Sequence, residues 1–512
     1  MAVGRAGRQA AGGRGGRPDV IVVGAGVAGL YAALRAARAG GRVALISATP
    51  LAETASYWAQ GGLAAAVGDD DTPERHLADT ERAGRGAVRR SAAEVLVNEA
   101  PDCLHDLQAL GVSFDGDRLG HLALGLEGGH SVRRIVHGGG SATGRRMVRQ
   151  LSALVVEEER IRVLEGESAG VSRLLVEEGR CGGVICRDGQ EVRAATVILA
   201  TGGAAAMWSR TTNPPGSIGA GMMLAHAAGA VLADLELVQF HPTAVVGIRG
   251  REGFLITEAI RGEGATLHDT QGERFVDELA PRDEVSRAIQ RRMAESGAGR
   301  VSLDMRAVDP GLFPNVWSAL REAGLDPSAE LVPVAPAAHY TIGGVRSDLH
   351  GRSSLPGLSV VGETSCTGLH GANRLASNSL SECFVFAARA AETALDELSV
   401  RAARVASDVA PGELAEGGTG AGEDASTPVR VPSWETRSAM WRCAGVERSR
   451  DGLEVLLGEE HPLAVLIARC ALEREESRGV HQRTDFPETE ASLERRHLVV
   501  SAAGQLSWET WT

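Results

Sequence analysis

The run Asp19-Val20-Ile21-Val22-Val23-Gly24-Ala25-Gly26-Val27-Ala28-Gly29 passes from a short apolar strand straight into three glycines spaced G-x-G-x-x-G. Leu30–Ala39 then reads as an Ala-rich helix and Gly41–Ser47 as a second apolar strand. Together they make a strand–turn–helix–strand unit with the dinucleotide fingerprint in its proper context. The glycines permit the tight turn and let a pyrophosphate reach the helix N-terminus, where unpaired N–H groups favour an anion. The second strand ends in Ser47-Ala48, with no Asp or Glu to receive ribose hydroxyls, which speaks against a plain NAD site.

Composition narrows the class. The 512 residues are 43% hydrophobic and 23% charged, as expected for a soluble protein of two or three domains with a sizeable core. The net charge of −13 makes nucleic acid an unsuitable partner and leaves any attraction for an anionic substrate to local groups. No apolar run is long enough to span a membrane. Every basic residue is Arg, so a Schiff-base lysine mechanism is excluded. The seven cysteines are scattered, with no C-x-x-C pair, so no disulfide framework, zinc site or iron–sulfur site is expected, and a reducing, cytoplasmic setting follows. Residues 1–18, rich in Gly, Arg and Ala, lack the apolar core of a secretory signal and are expected to be a disordered tail.

Further along, Val184–Arg193 reads as a β-meander. Val192–Leu199 followed by Ala200-Thr201-Gly202-Gly203 reads as a late strand returning to the first sheet, and Leu358–Val361 as another short strand leading to Gly362-Glu363. The mixed stretch from Pro242 to Val345 reads as an inserted domain. Ser379–Leu395 is expected to be helical, Ala410–Pro432 a solvated linker, and Trp434–Gly445 and Gly452–Glu475 a small helical C-terminal domain.

One segment has a chemical character of its own, His370-Gly-Ala-Asn-Arg-Leu-Ala-Ser-Asn-Ser-Leu-Ser-Glu382. It begins as a polar loop and turns into a helix start, with Ser377, Asn378 and Ser379 as candidate N-caps. Arg374 adds a planar cation suited to a carboxylate. Four other clusters accompany it: Ala55-Ser56-Tyr57-Trp58-Ala59-Gln60-Gly61-Gly62; Gln239-Phe240-His241-Pro242-Thr243; Thr257-Glu258-Ala259-Ile260-Arg261-Gly262-Glu263-Gly264 with Leu279-Ala280-Pro281-Arg282-Asp283; and Pro336-Ala337-Ala338-His339-Tyr340-Thr341-Ile342-Gly343-Gly344.

Taken in order, these motifs resemble the flavoprotein family of succinate dehydrogenase, fumarate reductase and L-aspartate oxidase, from about Asp19 to about Glu397 with a weaker echo around Met440–Gly452. The resemblance implies an α/β fold. A doubly wound FAD-binding domain (19–237 and 343–400) is interrupted by an α+β capping domain (238–342). A linker (401–432) and a helical C-terminal domain (433–512) follow. It implies FAD contacts at Gly24, Ala25, Gly26, Val27, Ala28 and Gly29, at Ala48, at Ala55, Ser56, Tyr57, Trp58, Ala59, Gln60, Gly61 and Gly62, and at Ser168, Ala169, Ala220, Glu363, Ser379 and Leu380. It implies a clamp on a dicarboxylate. His241 and Thr257 hold one carboxylate, His339 and Arg374 the other, and Arg282 from the cap sits over the reacting bond with a proton relay through Glu258 and Arg261. Taken one at a time, His241 reads as a structural histidine, Arg261 with Glu263 as a surface ion pair, and Arg282-Asp283 as a helix-start pair; their joint, ordered occurrence points to a site.

Two positions bear on the member. The membrane-complex relatives attach the flavin covalently through a His at the position of Ala55, so here the FAD is expected to be non-covalent. Glu127, in Leu126-Glu127-Gly128-Gly129-His130-Ser131, would repel a plain dicarboxylate but suits the α-ammonium of L-aspartate. With Arg133-Arg134-Ile135-Val136-His137 behind it, this run resembles the aspartate-oxidising members. The expected reaction is hydride transfer from Cα of L-aspartate to the flavin, giving iminoaspartate. Reoxidation by O2 (giving H2O2) or fumarate is expected, as is a link to quinolinate synthase and NAD biosynthesis. Ala220 and Ala48 depart from the acidic residue and the Lys usual in the family near the flavin and the adenosine. The alternatives are a soluble fumarate reductase or succinate-oxidising protein, which shares every clamp residue, and a nucleotide-binding module without catalysis.

Overall fold

The structure is a computed structural model and describes residues 16–51, 54–407 and 430–512. Most of the expected N-terminal tail and of the expected linker lies outside the described residues.

The first sheet is parallel and five-stranded. Its strands run Leu358–Val360, Thr196–Leu199, Val20–Val23, Val43–Ser47 and Ile161–Glu165, in that spatial order. The central strand is apolar at every position because both faces are covered. Its alternation divides two cores. Val20 and Val22 pack with the helices Val27–Arg38 and Asn378–Ser407, while Ile21 and Val23 pack with the antiparallel meander Val171–Glu177, Arg180–Cys186 and Glu191–Arg193. Tyr31 meets Phe384 edge-on at 5.2 Å where the two helices touch.

The insertion is a four-stranded antiparallel sheet in the order Val238–Val245, Val332–Thr341, Val301–Asp304 and Thr266–His268. The helix Arg282–Ser296 packs on it, and Val285, Ile289, Leu303, Trp317 and Val334 share its core. Pairing of the first two strands passes from Gln239↔Tyr340 to Phe240↔Ala338, so His339 is the extra residue of a β-bulge. A bulge re-aims a side chain, and this one turns His339 toward His241.

The C-terminal part carries the helices Trp434–Cys443, Arg450–Leu456 and Pro462–Glu473, the first two capped by Ser433 and Ser449. The expected helix Gly452–Glu475 is broken before Pro462, as proline dictates. The sequence reading left out the final hairpin, Arg496–Val500 with Leu506–Thr510. It pairs with Leu232–Ala233 in a mixed sheet completed by Gly344–Arg346 and Ser365–Cys366. A buried ion pair of Arg474 with Glu236 (2.7 Å) fastens this part to the strand connection at the base of the insertion, and Glu476, 3.0 Å from Arg474, completes the cluster from within the C-terminal part. The helix beginning at Asn378 continues to Ser407, so the chain remains helical into the stretch expected to be linker.

Candidate active site

The fingerprint forms a close-packed cradle. Gly24 has φ +107, and a Cβ there would lie 2.2 Å from Ala200 O; a Cβ on Gly29 would lie 1.9 Å from Gly24 O. Only glycine lets strand, turn and helix approach this far. Gly26 caps the helix Val27–Arg38, with Ala25, Val27 and Ala28 buried beside it, and Ser56 Oγ accepts the Val27 N–H at 3.2 Å. Ala55, Ser56, Tyr57 and Trp58 form a single 3-10 turn beside it. Ala59 O accepts the Gly144 N–H at 3.1 Å, and Gly62 N–H donates to Ser377 Oγ at 3.2 Å. Gln60 Oε1 and Thr54 Oγ1 are buried without a protein partner, which fits a ligand edge along this loop. Trp58, expected among these contacts, is 61% exposed. Ala48 lies beside the 3-10 turn containing Ser168 and Ala169, near the end of the second strand. Ala220 starts the helix Ala220–Ala227 after Gly219 (φ 72). Glu363 Oε1 accepts the Thr341 N–H at 2.8 Å, and burial pushes its carboxyl up to about 7.

The residues expected to form the clamp are buried or half-buried, and several of them meet. Strand alternation puts Gln239 and His241 on the same face of Val238–Val245, and Thr243 follows at an irregularity in the strand. Thr257 precedes the short helix Glu258–Gly262, and Arg282 is the first residue of the helix Arg282–Ser296. Arg282 Nε donates to Glu258 Oε2 at 2.6 Å and Arg282 Nη1 to Gln239 Oε1 at 3.2 Å. Arg374 donates to the same Gln239 Oε1 from Nε (3.2 Å) and Nη2 (3.0 Å), and from Nη1 to Ser379 Oγ (2.8 Å). Its guanidinium stands 4.6 Å from the Tyr340 ring centroid. Arg261 is buried, not on the surface. It donates to Glu278 O and lies 3.6 Å from Glu258, whose Oε1 accepts the Gly128 N–H at 3.0 Å.

Among the described residues Arg374 makes no carboxylate ion pair, although it is buried. Burial, then the neighbouring Arg282, lowers its guanidinium to about 10, so it stays charged at neutral pH. Two cations that share one neutral oxygen form an anion site. Burial, reinforced by the charge of Arg282, pushes His241 and His339 well below the usual histidine range, so both are neutral. His241 Nδ1 accepts the Thr243 N–H at 3.3 Å, which leaves its proton on Nε2, ready to donate. The His241 and His339 rings are 5.1 Å apart.

Glu127 is fully buried. Burial alone would raise its carboxyl, but the neighbouring His137, the Ser377 hydroxyl and the charge of Arg282 outweigh it and hold the group at about 2. Ser377 Oγ donates to Glu127 Oε2 at 2.6 Å, and His137 Nε2 lies 3.4 Å from Oε1.

His339 Nδ1 pairs with Thr212 Oγ1 at 2.7 Å. One local expectation is corrected. Ser377, Asn378 and Ser379 do not act as ordinary caps, since their side chains bond Glu127, His76 with Thr80, and Arg374. Four residues of the site, Gln239, Asn373, His137 and Tyr340, stood within the quoted motifs but were given no role from sequence, and Ser377 was read only as a cap. For Gln239 the signal was there, two residues before His241 on a strand.

Comparison with known proteins follows this geometry. A family described as FAD binding domain matches residues 19–380, and one described as fumarate reductase flavoprotein C-term matches residues 457–509. The L-aspartate oxidase of Streptomyces coelicolor is 43% identical, over 94% of this chain and 91% of that protein. That of Agrobacterium fabrum is 43% identical over 96% of each. The solved E. coli quinol fumarate reductase superposes with a TM-score of 0.82 at 27% identity, over 96% of each chain. Mycobacterium smegmatis Sdh1 superposes with a TM-score of 0.76 at 31% identity, over 97% of this chain and 94% of that one.

Proposed function

The chain belongs to the L-aspartate oxidases, FAD-dependent amino-acid oxidoreductases within the succinate dehydrogenase and fumarate reductase flavoproteins, and from that membership we propose how its residues divide the work. The observation that carries the reading is the buried pair Arg282 and Arg374 converging on Gln239 Oε1, with Glu127 held ionised nearby.

Arg374 and His339 hold one carboxylate of L-aspartate; His241, through Nε2–H, and Thr257 hold the other. Glu127 pairs with the α-ammonium. At about 2 its carboxyl is a poor base, so it supplies charge and does not take a proton. Arg282 stands over the reacting bond as a fixed cation; as the hydride leaves Cα the α-ammonium gives up one proton, and Glu258, flanked by Arg282 and Arg261, is the carboxylate that receives it. FAD, when bound along Gly24–Gly29, Ala48, Ala55–Gly62, Ser168, Ala169, Ala220, Glu363, Ser379 and Leu380, supplies the hydride acceptor. With Ala at position 55 there is no nucleophile for a covalent link, so FAD is held non-covalently.

The product is iminoaspartate, and the electrons pass on to O2, giving H2O2, or to fumarate. An imine hydrolyses in water, so the natural consumer is the condensation that forms quinolinate. In this reading the enzyme opens NAD biosynthesis in the cytoplasm. All seven cysteines are free, and no helix among the described residues is long and apolar enough to cross a membrane. Residues 19–237 and 343–400 form the FAD domain and 238–342 the cap, whose sheet begins at Val238.

The test is an aerobic assay of the purified protein. Peroxide release with L-aspartate is the expected result. Activity confined to succinate and fumarate would establish the alternative, a soluble fumarate reductase.

A further inference from the structure

A chain of hydrogen bonds runs outward from the two substrate arginines. Gln239 Oε1 accepts from Arg282 and Arg374, and Gln239 Nε2 donates to Asn373 Oδ1 at 2.9 Å and to Arg374 O at 2.8 Å. Asn373 Nδ2 donates to Asp283 Oδ1 at 3.1 Å and to Ala83 O at 3.2 Å. Arg85 then donates to both oxygens of Asp283, from Nε at 3.1 Å and Nη2 at 3.2 Å.

The polarity of this chain is dictated at both ends. A guanidinium only donates and a carboxylate only accepts. Between them stand two amides, and only one orientation of each satisfies every bond. A flip of Asn373 would set its NH2 against the NH2 of Gln239. A flip of Gln239 would set an NH2 against two guanidinium groups. Gln239, Asn373 and Asp283 are all buried, so no bulk water is at hand to rescue a wrong orientation. Asp283 directly follows Arg282 on the cap, and Asn373 directly precedes Arg374 on the other domain.

We propose that Asp283 and Arg85 are positioning residues for the reaction: through Asn373 and Gln239 they fix the one oxygen that sets Arg282 against Arg374, and so register the cap on the flavin domain. The proposal rests on the reading that Arg282 and Arg374 hold the substrate. Arg85 has a second part in it. Burial pushes the Asp283 carboxyl up, and the Arg85 guanidinium opposes this, keeping Asp283 an acceptor. The outer end of the chain opens on a cavity of about 330 Å³ at the meeting of flavin domain, cap and C-terminal part. Arg85 is therefore partly solvated, and its replacement leaves no buried hole.

The experiment uses the holoenzyme. Asp283→Asn and Arg85→Gln are each expected to lower kcat/KM for L-aspartate oxidation and for fumarate reduction alike, by about tenfold, the effect of one lost hydrogen-bond acceptor. The same variants weaken equilibrium binding of succinate, read from the flavin spectrum, and leave FAD retention unchanged. The double variant is expected to be no worse than Asp283→Asn, because the two act as one unit. Arg85→Lys is expected to recover part of the loss. Additive losses, activity within twofold of wild type, or loss of FAD in step with activity would each overturn the proposal. Should Asp283→Asn fail to fold, Arg85→Gln decides alone. An Arg374→Leu variant that keeps both reactions would instead show that the underlying reading of the arginines is wrong.

Discussion

Ser377 donates its hydroxyl to Glu127 Oε2 across 2.6 Å, linking residues 250 positions apart in the chain. The backbone of Ser377 is left-handed (φ 62), and its Oγ also accepts the Gly62 N–H from the loop that follows the fingerprint. One residue thus joins Glu127, which we propose distinguishes aspartate from succinate, to the loop after the fingerprint and the helix start beside Arg374. In that reading specificity and clamp are one assembly.

Glu127→Gln should therefore separate the two reactions. The isosteric amide keeps the Ser377 contact but loses the charge facing the ammonium. Aspartate oxidation is expected to fall roughly 10- to 100-fold in kcat/KM, the worth of a charge-assisted hydrogen bond, while fumarate reduction is retained. Ser377→Ala is expected to lower aspartate oxidation selectively by about tenfold. Steady-state kinetics with both substrates checks each; equal losses in both would mean a structural role for Glu127.

The pH dependence has a definite sign. Glu127 ordinarily titrates at 4.5 and is held at about 2 in the fold. A depressed acid contributes stability that is complete above its unfolded pKa and is lost as pH falls through the folded one. Wild type minus Glu127→Gln should thus show a stability difference that is constant above pH 4.5 and shrinks toward about 2. Urea melts across that range measure it, and a difference that stays constant from pH 5 down to pH 2 would contradict the assignment.

Arg374→Lys is expected to cost about 100-fold in kcat/KM for both reactions while FAD is retained. The guanidinium makes three hydrogen bonds in a plane, to Gln239 and Ser379, over the Tyr340 ring, and an ammonium matches neither the fork nor the stacking. Kinetics with a flavin absorbance ratio on the same sample tests this.

Gly29→Ala is expected to lower stability by roughly 2 kcal/mol and to deplete FAD, because overpacking at a rigid contact has no room to relax. The new methyl would sit 1.9 Å from Gly24 O, which is backbone. Thermal melting and the flavin content of the purified variant report both effects.

The strand–Gly–helix unit was legible because its pattern is local: apolar residues in a row, three glycines, a run of alanines. Glu127, His241, Arg282 and Arg374 were legible as a set through resemblance. What escaped the sequence depends on contacts between distant segments. Ser377 and Asn378 carry good capping chemistry, and only the folded chain shows that Glu127 and His76 claim their side chains. His339 sits on a bulge that no periodicity announces, which is why its hydrogen bond to Thr212 was not foreseen. The final hairpin, Arg496–Val500 with Leu506–Thr510, is short and partly polar, and it becomes a sheet only against Leu232–Ala233.

The central claim, that this site oxidises L-aspartate at a bound flavin with Glu127 reading the ammonium, is tested most directly by anaerobic absorbance of the purified holoenzyme. Bleaching of the flavin bands by L-aspartate in wild type, its loss in Glu127→Gln, and reoxidation of the bleached enzyme by fumarate are the predicted results. A flavin that succinate bleaches and L-aspartate does not would contradict the account.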